Sequence, residues 1–423
     1  MNKYQDIISR INYGLFLIVV FLLPFPQTAL RYACVAWVIT WYIEGRWVSL
    51  SRLKAQFAQT KFAIPFILFF LWYLWHILSA AWVPDSRAWG SQIERYLTFG
   101  LLLPVGLWGV NERYDLKQIG RVLVISCVAA VPIYLTLFTV LYHHREIIDT
   151  LEWEANWNYG VTTWYSFVSE NISVLKHRLY FCAVELFGAI VAYMLYRRRP
   201  WILFPTTAVM LSSILMTGSR QSIVTAVVLV AVACIYALPQ KHRRWYGIGI
   251  IVLGLAAGVG LLKVHPRMQQ FDLSAITEMR TISDTHDERF NIWGAALQHP
   301  EDYLWHGLGA GQSANYMKAQ YEQLDMTQYA QKGYNCHNQY LEEILELGLF
   351  GLLLFLIAWC TIPLCAHGRT RTIAWLFTLL FVFNMITECT FGRFDGIALW
   401  AVGMIMMLSE QTIVPLQADT ESA

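Results

Sequence analysis

Residues 335–366 read NCHNQYLEEILELGLFGLLLFLIAWCTIPLCA. The first part is polar and carries His337, Glu342, Glu343 and Glu346, whereas 349–366 holds no charged residue. A helix needs roughly 17–25 mostly apolar residues to cross a bilayer. The stretch therefore marks the place where a polar segment re-enters a helix at a membrane surface.

The rest of the chain has the same character. Of its 423 residues 57% are hydrophobic and 14% charged, against about 45–50% and about 25% in a soluble domain. Both departures make lipid the solvent. Eighteen tryptophans and 22 tyrosines fit aromatic belts at two interfaces. A formal net charge of +2 gives no electrostatic case for nucleic acid. Cys34, Cys127, Cys182, Cys234, Cys360, Cys365 and Cys389 lie in apolar runs, where cysteine behaves as a small hydrophobe. Cys336 lies in a polar loop without a loop partner, and no CxxC or Cys/His spacing suggests a metal. The first apolar run follows Lys3 and Arg10, lacks a small-residue cleavage site and leads into further spans, so it reads as a retained helix.

These features predict an all-α polytopic membrane protein of about twelve transmembrane helices. The candidate spans are 11–29, 30–47, 62–82, 96–110, 119–142, 179–196, 201–217, 223–238, 246–264, 349–366, 373–391 and 397–408. Alternate connections carry Arg46, Arg52, Lys54 and Lys61, then Arg113, Lys117 and Arg121, then Arg197, Arg198 and Arg199. Lys241, Arg243 and Arg244 follow, then Arg369 and Arg371. All fall on one side together with Lys3 and Arg10. The positive-inside bias makes that side, and both termini, cytoplasmic. The domain division is then 1–264 for spans one to nine, 265–340 for a large external loop, 341–412 for spans ten to twelve and 413–423 for a polar cytoplasmic tail. A second external connection runs over about 143–178. The large loop is too long to be structureless and should hold its own helices. Thr285-x-x-Glu288 has the form of a capping box, which predicts a helix over 286–298 that stops near Pro300; 313–324 is a second candidate.

ATP is absent on the external side, so chemistry there must use an already activated substrate. Gly307-Leu-Gly309-Ala-Gly311 lacks the strand-to-helix context of a phosphate loop and reads as a turn. Arg220, in the tight turn Thr217-Gly-Ser-Arg-Gln between two apolar runs, must snorkel to headgroups, pair, or bind an anion. Arg289 lies four residues before Trp293 and shares its helix face. Arg87, Arg95 and Arg178 are further cations at external span ends and read individually as interfacial anchors. His337 is the sharpest candidate, because a neutral imidazole can take a proton from a hydroxyl; the plainer reading is a satisfied interfacial histidine. Asn338 orients it or caps the helix. Cys336 beside it suggests a Cys/His pair, discounted because adjacent residues on a helix point apart. Glu342, Glu343 and Glu346 read as acids favouring a helix start. With no acidic cluster for a divalent cation evident outside, the set suggests a site for a lipid-linked phosphate ester, with arginines holding a pyrophosphate.

The ordered pieces Thr217-Gly-Ser-Arg220, Asp287-Glu-Arg289 with Trp293, Pro300 with Gly307-Leu-Gly309, His337-Asn338-x-x-Leu341-Glu342 and Glu346-Leu-Gly348-x-x-Gly351 resemble the O-antigen ligase family of lipopolysaccharide assembly. That family is part of the wider O-antigen ligase and polymerase superfamily. The resemblance implies a GT-C-type glycosyltransferase of the bacterial inner membrane, with the large loop and the active site on the periplasmic side. It implies transfer of a polysaccharide from undecaprenyl pyrophosphate to the lipid A–core oligosaccharide, inverting and without metal or other cofactor. His337 would be the general base, and Arg220 and Arg289 would bind the donor pyrophosphate. Asn338, Arg178, Arg95 and Arg87 are possible supporting residues. An O-antigen polymerase, a protein O-oligosaccharyltransferase and a membrane transporter are the alternatives.

Overall fold

The computed structural model describes residues 3–44, 60–110, 113–143, 175–237, 249, 288–368 and 370–411. Within them α1 is Lys3–Leu22, α2 Gln27–Glu44, α3 Ala63–Leu78, α4 Ser86–Arg95 and α5 Leu97–Gly109. Then come α6 Leu116–His143, α7 Arg178–Tyr196, α8 Pro200–Thr217, α9 Arg220–Ala237 and α10 Glu288–Ala296. The last five are α11 Ser313–Gln323, α12 Thr327–Lys332, α13 Gln339–Cys365, α14 Thr370–Thr387 and α15 Phe394–Gln411. There is no strand among the described residues. Among the described residues seven helices are long and apolar enough to cross a membrane: Tyr4–Leu22, Ala63–Ala81, Leu116–Val140, Arg178–Tyr196, Pro200–Thr217, Gln339–Cys365 and Thr370–Thr387. The described residues are those of an all-helical, multi-pass membrane protein.

A helix lies on each expected span that falls within the described residues. The span expected at 246–264, Thr285 of the capping box and the tail 413–423 lie outside them. Of the loop helix expected over 286–298, the described part runs Glu288–Ala296, and the one expected over 313–324 runs Ser313–Gln323. Two boundaries are corrected. The first span, expected at 11–29, is the helix Lys3–Leu22, since Pro24 and Pro26 cannot donate to a continuing helix. The helix expected to begin its span at 349 starts earlier, at Gln339, and bends in the middle.

The chain packs as two compact units, Met1–Thr40 with Lys117–Gln269, and Trp41–Leu116 with Gln270–Ala423. In the first unit the carbonyls around the α1–α2 turn are satisfied from other segments. Ser126 donates its hydroxyl to Phe21 O, Tyr134 donates to Pro24 O at 3.0 Å, and Lys176 Nζ donates to Phe25 O at 3.1 Å. Asn12 Nδ2 donates to Trp37 O and Thr40 Oγ1, both at 3.0 Å, and so ties α1 to α2. Polar side chains of this kind act as interhelical glue where apolar surface supplies no selective attraction. At Gly188 a Cβ would come within 2.7 Å of Cys127 Sγ, so α6 and α7 pack through a small-residue contact.

The second unit has an aromatic core of Phe69, Trp72, Phe99, Phe355, Trp359 and Trp400. Its organising feature is a break in α13 at Gly348, with φ 67° and ψ −170°. A break in the i→i−4 ladder frees backbone groups that a low-dielectric interior cannot leave unpaired. The segment after α10 takes them up. Leu308 N donates to Leu345 O and Gly309 N to Glu346 O, both at 2.8 Å, while Leu349 N donates to Leu304 O at 2.7 Å. The glycine-rich run first read as a turn is therefore a main-chain clasp on α13. Gly307 (φ 74°) lets the clasp approach, because a Cβ there would strike the carbonyl of Glu346. At Gly348 a Cβ would strike the carbonyl of Trp305.

Gly348→Ala is expected to destabilise the protein by roughly 1–3 kcal/mol from the left-handed backbone alone, and by more through the clash. Gly14→Ala, in α1 with open space around it, is expected to be neutral or stabilising by up to about 1 kcal/mol. Thermal melts in one detergent compare the two; equal midpoints would refute the clasp.

Candidate functional site

The loop between α12 and α13 sends successive residues in opposite directions. Gly333, left-handed at φ 61°, closes α12. Cys336 is fully buried in a cluster with Ile292, Ala295, Tyr303, Met317 and Tyr321. Its carbonyl accepts the indole N–H of Trp293 at 3.0 Å. His337 follows at φ 44°, one of two non-glycine residues with positive φ among the described residues. Such a conformation costs about 1–3 kcal/mol and persists only where surroundings enforce it. Here Asn335 Oδ1 accepts the His337 N–H at 3.1 Å. Asn338 then caps α13, accepting from Tyr340 N at 2.9 Å and Leu341 N at 3.1 Å. Of the two readings for Asn338, capping is the observed one. Cys336 and His337 do point apart, but not for the expected reason: they precede the helix, and the backbone reversal separates them.

The His337 ring is partly exposed and Nδ1 stands 3.6 Å from Glu388 Oε2, with side chains 29% and 10% exposed. That is beyond a good hydrogen bond but within electrostatic reach when the ring is protonated. Unit charges about 4 Å apart attract by about 4 kcal/mol at an effective dielectric of 20, and by about 1 kcal/mol in water. Tyr334 lies on another side, ring centroids 5.9 Å apart.

Glu342 lies in the first turn of α13, as the helix-start reading expects, and Glu342, Glu343 and Glu346 are all buried. Glu343 accepts from Trp72 Nε1 at 2.8 Å and Gln339 Nε2 at 2.9 Å. Glu346 accepts from Ser313 Oγ at 2.7 Å. Glu342 shares a side-chain hydrogen bond with Cys389, and the charges of Arg95, Glu388 and His337 all act on it. Arg95 also acts on Glu346. Two acidic residues, Glu388 and Glu342, thus interact with His337, though no three His, Cys, Asp or Glu among the described residues group as metal ligands.

The other candidates fall in two places. Arg289 is in the second unit on α10, partly buried, one turn before Trp293 and its bond to the Cys336 carbonyl. Asn291 Nδ2 donates to Tyr329 OH at 3.3 Å, so the Arg289 helix packs on the segment that leads to His337. Arg95 ends α4, beside Glu342 and Glu346; Arg87 is exposed in the first turn of α4, which Asp85 caps. Sequence reading missed α4 altogether. Arg220 and Arg178 belong to the first unit. Gly218 (φ 60°) ends α8, Ser219 Oγ meets Ser222 Oγ at 2.8 Å, and Arg220 opens α9. Cys182 Sγ lies 3.1 Å from Thr217 Oγ1, which brings the start of α7, with Arg178, to the Arg220 turn. A cation opening a helix adds to the positive end of the helix dipole rather than offsetting it.

Sequence reading also missed Glu388. Its signal was a lone carboxyl at the end of an apolar run, the acidic counterpart of the Arg220 signal. Burial first, then the charges of Glu342 and Glu346, raise the Cys336 thiol well above its ordinary range. Cys336 is therefore expected to resist a water-soluble maleimide at pH 7 in the folded protein and to react fully once denatured; mass spectrometry of the labelled peptide reads the difference. Asn338→Ala is expected to cost about 0.5–2 kcal/mol of stability through the lost cap, measured as a fall in melting midpoint.

Residues 205–356 match the family model described as O-Antigen ligase. The matched stretch contains Arg220, Arg289, His337 and Asn338, together with Gly348 and its clasp. A comparison with curated proteins gives no match. Over residues 205–356 the chain is therefore similar to the O-antigen ligase family.

Proposed function

We propose that this protein is a GT-C-type membrane glycosyltransferase that ligates a polysaccharide from undecaprenyl pyrophosphate to the lipid A–core oligosaccharide. It works in the bacterial inner membrane with twelve spans, both termini cytoplasmic and the loop 265–340 periplasmic. The division 1–264, 265–340, 341–412 and 413–423 belongs to the same reading. One observation carries it: within a stretch that matches O-antigen ligase, His337 is held out of its helix, partly exposed, beside a carboxylate.

In the reaction the acceptor hydroxyl attacks the anomeric carbon as His337 takes its proton. The bond from that carbon to the pyrophosphate oxygen breaks on the opposite face, so configuration inverts. The leaving pyrophosphate keeps the bonding electron pair. Arg220 and Arg289 bind it through forked, charge-assisted hydrogen bonds, Arg220 with the positive end of α9 behind it. Arg178 supports Arg220, Arg95 offsets the acidic residues of α13, and Arg87 adds positive charge at the start of α4. Asn338 holds the loop that presents His337. No metal takes part, because guanidinium groups neutralise the developing charge.

Purified protein in nanodiscs, given lipid-linked glycan and lipid A–core, is expected to place the glycan on lipid A–core and to keep doing so in a chelator. A longer lipid-linked chain would identify a polymerase instead. A general base contributes about 10²–10⁴-fold, so His337→Ala is expected to lower transfer by that factor while the protein still inserts. Arg220→Ala is expected to cost roughly 10²–10³-fold, as for other preorganised donors to developing negative charge. Undiminished transfer by His337→Ala would remove the base assignment.

A further inference from the structure

A base that must point one nitrogen at its substrate needs something to hold the other. Nδ1 of His337 faces Glu388 Oε2 at 3.6 Å, and the Glu388 side chain is 10% exposed, so water screens it little. Glu388 is itself placed from the neighbouring residue. Cys389 is buried and shares a hydrogen bond with Glu342, and Gly392 N donates to Cys389 O at 2.9 Å. The loop of His337 is fixed from the other side by Trp293 on the Cys336 carbonyl. Both partners are thus held by separate anchors, and their spacing is a property of the fold.

We propose that Glu388 is the positioning residue of His337, resting on the reading of His337 as the general base. The carboxylate keeps the ring proton on Nδ1 and leaves the Nε2 lone pair to the acceptor hydroxyl. When Nε2 takes the hydroxyl proton, the ring becomes an imidazolium whose charge Glu388 offsets. Glu388 stays ionised throughout and takes no proton, and the electron balance of the transfer is unchanged. Glu342 of α13 feels the charges of both members of this pair, Arg95 of α4 acts on Glu342, and the Tyr334 ring lies 5.9 Å from that of His337. Glu342 does not serve equally well, because it is bound to Cys389 and carries the opposing charge of Arg95.

Glu388→Gln keeps the shape and removes the charge. Losing the anion disfavours the imidazolium relative to the neutral ring. The acidic limb of the kcat profile, where His337 becomes protonated, then moves to lower pH. Expected results are a kcat reduced roughly 10–100-fold, as for loss of other groups that orient a histidine, with the donor KM unchanged. Glu388→Asp keeps the charge across a longer gap and should recover part of the rate. Histidine-labelled full-length protein in nanodiscs gives a readout independent of transfer. Of the 11 histidines, the resonance lost in His337→Ala is the one to titrate, and its midpoint should fall in Glu388→Gln. An unmoved midpoint overturns the proposal whatever the rates do. A moved midpoint in a protein that transfers no glycan upholds the Glu388–His337 coupling and overturns the transfer reading alone. If Glu388→Gln does not fold, Glu388→Asp carries the test: a smaller fall in the same direction supports the proposal, and a wild-type midpoint with wild-type kcat overturns it.

Discussion

A helix broken inside a low-dielectric interior must find partners for the backbone groups it frees, and α13 breaks at Gly348. Each such group left unpaired would cost several kcal/mol. The partners come from 304–309, a segment with no regular structure of its own after Asp302, and three main-chain bonds join it to the break. Much of the second unit follows from that requirement. The clasp needs glycine where it touches α13, it delivers Ser313 to Glu346 at the start of α11, and it sets where the loop helices begin.

The same arrangement explains how carboxyls come to be buried beside the candidate base. Glu343 is bound by Trp72 and Gln339, and Gln339 Oε1 accepts the N–H of Phe391 at 2.8 Å. One polar chain therefore ties α3, α13 and the turn before α15 together. That tie fixes the segment holding Glu388 and Cys389 against the start of α13, where His337 emerges. The stabilising network and the chemical group share a backbone, which is why the His337 main chain can stay in a left-handed conformation that an unsupported loop would leave.

What the sequence revealed and what it hid divide along physical lines. Apolar runs separated by charged connections exposed the helices, because burial in lipid demands continuous hydrophobicity over a fixed length. Arg220, His337 and Asn338 stood out for the complementary reason, as polar groups at the edges of such runs. The pairing of His337 with Glu388 depends on how α13 and α14 pack, and no periodicity within either segment encodes it. The break at Gly348 was equally hidden, since glycine at one position is compatible with an unbroken helix. The short helix α4 escaped because its residues are mixed in character and its start rests on one cap, Asp85. The burial of Glu346 could not be read from helix-start statistics, for the loop beside it supplies Ser313 and the N–H of Gly311 in place of water.

The break in α13 also bears on how the chain enters the bilayer during synthesis. From 349 to 365 the helix has 17 residues, about 26 Å at 1.5 Å per residue, close to the thickness of a hydrocarbon core. That half can partition into lipid by itself. The preceding turns, with their three glutamates, need not be dragged through the insertion machinery, and can wait at the interface until the loop folds over them. A straight helix of the same sequence would have to choose between exposing apolar residues to water and drawing carboxyls into hydrocarbon. The bend separates membrane insertion from assembly of the polar network, so each can be completed in its own solvent.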